Sequence, residues 1–176
     1  MYKLLILLLS INFSTGNDLP QNTDIDKLIF SDVIYTDNNI SSDEMLIIAR
    51  QWYSKLFDTP PFFYQTDSNG NILTGKGKIF TGSSGRNLYA GIVEFSLELQ
   101  FKDGKYKYIV SNLIHTAFEP EYSGGDLDDN KPDCGTLNIS KRQWKKIKDS
   151  SENKVMDLIN NLKDHINKGT IMNNNW

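Results

Sequence analysis

Asp126, Asp128 and Asn130 stand at alternate positions, the spacing of the first three ligands of a calcium loop. Such a loop needs glycine at its sixth position for the sharp turn and a bidentate acid at its twelfth, and this chain has Lys131 and Leu137 there. The acidic triple therefore reads as a solvated loop. Cys134 followed by His165 has the order of a thiol hydrolase, but no helix start or basic neighbour of Cys134 would favour the reactive thiolate. Glu94 and Glu98 share a strand face as a paired-carboxylate glycosidase would require. Their backbones stand roughly 13 Å apart at about 3.3 Å per residue, beyond the separation either glycosidase mechanism uses. His115 is expected on the wet face of its strand with Ile109, Ser111 and Leu113, as a surface or locally satisfied histidine. Two histidines, one cysteine and no motif that sets a nucleophile beside a base give no catalytic residue, no metal ligand and no cofactor site.

What remains is a surface. Phe118, Tyr122 and Trp144 lie near Gly124-Gly125 and the acids Asp126, Asp128 and Asp129, and aromatic residues on loops often make contacts. Buried anchors explain the same aromatics, so both readings stand at this point.

The elements that must position these residues begin with a hairpin. Val93, Phe95, Leu97, Leu99 and Phe101 alternate with Glu94, Ser96, Glu98 and Gln100 ahead of Asp103-Gly104, a period-two pattern closed by a tight turn. The turn sets the register: Phe101 opposite Tyr106, Leu99 opposite Tyr108, Leu97 opposite Val110, Phe95 opposite Asn112 and Val93 opposite Ile114. Upstream, Leu28 to Tyr35 reads as a first strand. Ser41-Ser42-Asp43-Glu44 is a capping box, after which Met45, Ile48, Ala49, Trp52, Tyr53 and Leu56 recur at helical spacing. Pro60-Pro61 stops that helix. A further hairpin is expected from Phe62 to Thr66 and Ile72 to Phe80 around Asn69-Gly70, with Gly75 and Gly77 marking a bulge or a close backbone approach. Thr81 to Asn87 is a Gly- and Ser-rich loop. From Ser151, Val155, Leu158, Ile159, Leu162 and Ile166 predict a C-terminal helix, with Trp144 and Ile147 packing just before it and a loose tail over Ile171 to Trp176.

With 176 residues, 39% hydrophobic and 23% charged, the chain suits one domain. Met1-Tyr2-Lys3, the apolar run Leu4 to Ile11 and Ser14-Thr15-Gly16 have the layout of a secretory signal peptide cut after Gly16. That run falls short of the roughly 20 apolar residues a membrane span needs. The expected organisation is a signal peptide over 1–16, a lead-in over 17–26, an α+β domain over 27–118, an acidic loop over 119–140 and a C-terminal helical extension over 141–176. Cys134 is the sole cysteine and has no internal disulfide partner, so the core alone must hold the fold. The net charge is −3 and no basic run exceeds Lys141-Arg142 or Lys145-Lys146, which argues against nucleic acid as a partner.

From Leu28 to Phe118 the order of signals resembles a family of exported bacterial proteins, catalogued as a domain of unknown function with a TATA-binding-protein-like (TBP-like) fold. The resemblance rests on Ala49-Arg50-Gln51-Trp52-Tyr53, Gly75-Lys76-Gly77 and Lys102-Asp103-Gly104-Lys105-Tyr106. It implies a curved antiparallel sheet backed by helices, in a protein of the Gram-negative envelope, and it carries no catalytic residues. The fold name does not imply DNA binding, because fold alone does not carry function. The expected architecture is α+β, with about five strands in β-α-β-β-β-β-α order. The expected function is non-enzymatic: an exported domain, periplasmic or secreted, that binds a protein, peptide or small apolar ligand. A hydrolase of envelope polymers and a structural or assembly component are the alternatives.

Overall fold

A computed structural model describes residues 27–36, 40–57, 72–82 and 88–173. The elements run β1 (Phe30–Tyr35), α1 (Ser42–Leu56), β2 (Ile72–Thr81), β3 (Gly91–Lys102), β4 (Lys105–Ala117), a 3-10 turn (Pro120–Tyr122), β5 (Gly125–Asp126) and α2 (Lys141–Asn173). The strands form one antiparallel sheet in the order β1-β4-β3-β2, with β5 paired to the far end of β4. Both helices pack on one side of it, giving the α+β architecture the sequence predicts. The signal peptide, the lead-in and the strand Phe62 to Thr66 with its Asn69-Gly70 turn lie outside the described residues. The returning strand is β2.

The α1 cap forms as expected, with the Glu44 amide donating to Ser41 Oγ at 3.2 Å. Met45, Ile48, Ala49, Trp52 and Tyr53 are buried, whereas Leu56, the last residue of the expected stripe, is exposed. The helix ends there, and Phe57 turns inward to meet Tyr53 and Phe95 with ring centroids 4.8 and 6.4 Å away. The glycines of β2 serve a close approach and no bulge: a Cβ at Gly75 would collide with the Tyr53 ring, and one at Gly77 with Phe95 and Phe57.

The central hairpin keeps the expected register from Phe101 opposite Tyr106 through Leu97 opposite Val110. It then departs from it. Ser96 faces Ser111 but Glu94 faces Ile114 and Val93 faces His115, so β4 carries one extra residue. Asn112 absorbs it at φ 56°, a left-handed conformation that asparagine tolerates better than most side chains, and its amide donates to Ser96 Oγ at 3.3 Å. One extra residue reverses the side-chain parity of everything beyond it. Leu113, His115 and Ala117 therefore face the helices and are buried, while Ile114 faces outward at 46% exposure. The expected pairs Phe95–Asn112 and Val93–Ile114 do not form, and His115 lies in the core and not on the wet face.

The C-terminal helix starts ten residues before the expected Ser151, at Lys141, and runs for 33 residues. A second capping box starts it: the Gln143 amide donates to Ser140 Oγ at 3.4 Å and the Ser140 amide to Gln143 Oε1 at 3.1 Å. Trp144 and Ile147 thus belong to the helix, and with Ser151, Val155, Leu158, Ile159, Leu162 and Ile166 they make one buried stripe. The two helices are joined where the Trp52 indole N–H donates to Asn161 Oδ1 at 2.8 Å. Residues 171–173, expected as tail, continue the helix.

Candidate functional site: the open face of the sheet

The acidic excursion folds back onto the helix side of the sheet, and its polar groups go into holding it there. His115, fully buried, accepts the Gly124 backbone N–H at Nδ1 (3.0 Å), which leaves Nε2 as the protonated nitrogen facing the Tyr89 carbonyl at 3.1 Å. Burial holds its pKa below the ordinary histidine value, the Tyr89 contact opposing in part. The Trp144 ring meets this imidazole edge-on with centroids 6.2 Å apart, and its indole N–H donates to the Asp129 carbonyl at 2.9 Å. Gly124 is required beneath it, since a Cβ there would strike the Trp144 ring. Asp126 Oδ1 accepts the Asp128 amide at 2.9 Å, and Asp128 Oδ1 in turn accepts the Leu28 amide, tying the loop to the start of the domain.

The sequence-derived surface is therefore not one surface. Trp144 is a buried anchor, Tyr122 is half-buried, Phe118 is 65% exposed, and Asp126 and Asp128 bond backbone amides. Asp129 contributes its carbonyl to Trp144 while its residue stays exposed. Among the described residues no three of His, Cys, Asp and Glu come together as metal ligands. Cys134 contacts its neighbour's carbonyl at Gly135, no hydrogen bond joins it to His165, and burial pushes its thiol pKa up, away from a reactive thiolate. Glu98 bonds Gln100 at 2.6 Å, and Glu94 lies two rungs away beside Lys78.

The opposite face carries a charge pattern of its own. Lys76 and Lys78 of β2, Lys102 of β3, and Lys105 and Lys107 of β4 have outward parity, against Glu94 and Glu98: a local excess of three positive charges in a chain of net charge −3. No two of these lysines are adjacent in sequence, so a search for basic runs passes over them. Interleaved with them are apolar side chains at unusual exposure, Tyr35 at 73% and Phe80 at 61%, together with Val33 and Ile114. Among the described residues no helix packs on this face. At its β1 end is a depression of about 240 Å³ lined by Val33, Tyr35, Gln100, Lys102, Lys105, Tyr106 and Lys107.

Hydrogen bonds hold the turn beside that depression. Gly104, at φ 74° in the β3–β4 turn, donates to the Ile40 carbonyl and accepts from the Thr36 amide, both at 2.9 Å. Asp103 Oδ1 accepts the Ser42 amide at 2.8 Å, so the carboxylate between Lys102 and Lys105 is committed to the start of α1.

No protein-family model matches the chain, and no curated protein matches it. Solved structures do. A TBP-like protein from Parabacteroides distasonis superposes with a TM-score of 0.57 at 16% identity, covering 78% of this chain and 93% of the other. A DUF4468 family protein from Bacteroides ovatus gives a TM-score of 0.51 at 15% identity, covering 79% of this chain and 88% of the other. At such identities the likeness establishes fold, and the TBP-like architecture implied by the sequence resemblance is the one this chain has.

Proposed function

We propose that the chain is a non-enzymatic exported domain of the cell envelope that holds a protein, peptide or small apolar ligand on the open face of its sheet. The observation that carries the reading is the set of exposed apolar side chains, Val33, Tyr35, Phe80 and Ile114, on the face left uncovered among the described residues. Scattered exposed apolar residues need no explanation, but here four share one uncovered sheet face, Val33 and Tyr35 at one end and Phe80 and Ile114 at the other. The export half rests on the basic, apolar and small-residue blocks of Met1 to Gly16. Among the described residues no helix is long and apolar enough to cross a membrane.

Hydrolysis at His115 finds no support in this geometry: both ring nitrogens are engaged by backbone groups, and water has no access to the ring. The test is native mass spectrometry on the chain from Asn17 purified gently from its own host. The reading expects a co-purifying mass that Phe80→Asp combined with Ile114→Asp removes while the circular dichroism spectrum stays unchanged. A bare wild-type chain, or a mass retained by the double variant, contradicts it.

A further inference from the structure

We infer that the depression at the β1 end of the open face is a subsite for an anionic head group, a carboxylate or phosphate, attached to a short apolar body. The inference rests on the open-face binding reading and names the chemistry of its ligand. Six side chains in three strands form a two-by-three block: Val33 and Tyr35 on β1, Lys107 and Lys105 opposite them on β4, and Gln100 and Lys102 opposite those on β3. Neighbouring strands lie about 4.8 Å apart, so the three lysines line one depression without any run of basic sequence.

Among the described residues no carboxylate forms an ion pair with these lysines. Lys102 and Lys105 face each other directly across β3 and β4, an arrangement that destabilises a sheet unless an anion lies between the charges. The ion pair among the described residues is Lys145–Asp149, far along the chain on α2. Among the described residues the carboxylates near the block are otherwise engaged: Asp103 bonds the Ser42 amide, Glu98 bonds Gln100, and Asp32, with helix-side parity, bonds the Val33 amide.

The fourth wall gives the ligand its second half. Lys105 Nζ stands 5.6 Å from the centroid of the Tyr35 ring, which lies open beside Val33 as a flat apolar wall. Drug-sized ligands occupy pockets of about 300 to 1,000 Å³. At about 240 Å³ this depression seats a head group and the first few carbons behind it, with the remainder running onto the open face. Backbone hydrogen bonds around Gly104 hold the strand ends that carry Lys102 and Lys105 in register.

Calorimetric titration of the chain with octanoate, octyl phosphate, octanol and inorganic phosphate, followed by amide chemical-shift mapping, tests this. One or both octyl anions should bind with shifts at Val33, Tyr35, Lys105 and Lys107, the tighter of the two identifying carboxylate or phosphate as the preferred head. Octanol and inorganic phosphate should each bind about tenfold more weakly, since each lacks one half of the recognition. Lys105→Glu with Lys107→Glu should weaken the anions at least about tenfold, and Lys76→Glu with Lys78→Glu should leave them unchanged. Octanol binding as tightly as octanoate overturns the anion subsite, and so does indifference to the Lys105/Lys107 pair. Inorganic phosphate binding as tightly as octyl phosphate overturns the apolar half. Shifts confined to Phe80 and Ile114 overturn the subsite while leaving the open-face reading standing. Absence of binding by every probe overturns the subsite alone, because the co-purifying mass tests the wider reading independently.

Discussion

The two faces of one sheet treat the same kinds of side chain in opposite ways. On the helix side His115, Trp144, Asp126 and Asp128 each have hydrogen-bond partners within the chain, and the ring of His115 is sealed from water. On the open side, among the described residues, five lysines and four apolar residues have no side-chain hydrogen bond or ion pair, the contact of Lys105 with the Tyr35 ring aside. Polar residues that are buried and satisfied serve the fold, and exposed ones held on a rigid frame are available to something else. The comparison moves the functional candidate away from the acidic loop, where chemistry-bearing residue types concentrate, to strands whose composition looks ordinary.

Trp144→Ala is the substitution that should separate the faces most sharply. It removes a buried indole, its bond to the Asp129 carbonyl and the edge contact with His115, and should cost about 3 to 5 kcal/mol in urea unfolding. A loss under about 1 kcal/mol would return Trp144 to the list of surface residues. His115→Gln should come next. His115 is held neutral in the fold with its pKa below the unfolded value, so its contribution is complete above that unfolded pKa and is lost as pH falls through the folded one. Stability should therefore decline below about pH 6.5, by up to about 1.4 kcal/mol per pH unit while the unfolded state alone binds the proton. Comparing the pH dependence of unfolding in wild type and His115→Gln isolates that term, and identical slopes would contradict the buried-neutral assignment. At the small end, Lys105→Glu with Lys107→Glu should change stability by no more than about 0.5 kcal/mol, or raise it slightly by relieving repulsion with Lys102. A large loss would mean that these lysines are structural.

Much of this fold can be read from residues. The Asp-Gly turn, the alternating hairpin and the Ser41 capping box predict β3, β4 and the start of α1 because local hydrogen bonding and period fix them. The bulge is harder, since Ile109 to Ile114 keeps a plausible strand pattern in either register. Its signal is Asn112, a poor strand residue in mid-strand, and missing it turns His115 to the wrong face. The early start of α2 had a signal too: Ser140-Lys141-Arg142-Gln143 is a capping box as good as the first. The packing of the acidic loop depends on where the bulge sends His115, and the lysine block depends on lateral strand order. The first has no local signature; of the block, Lys102, Lys105 and Lys107 lie in one local hairpin, while Val33 and Tyr35 are brought from far along the chain by the β1–β4 pairing.

The most direct test of the contrast between faces is lysine acetylation, mapped by mass spectrometry on the chain as it comes from its host and again after any co-purifying component has been removed. The account predicts that Lys102, Lys105 and Lys107 are protected in the first sample and modified in the second, while Lys145, Lys146 and Lys168 on α2 react equally in both. Protection appearing on the α2 lysines, with the strand lysines reacting equally throughout, would contradict it.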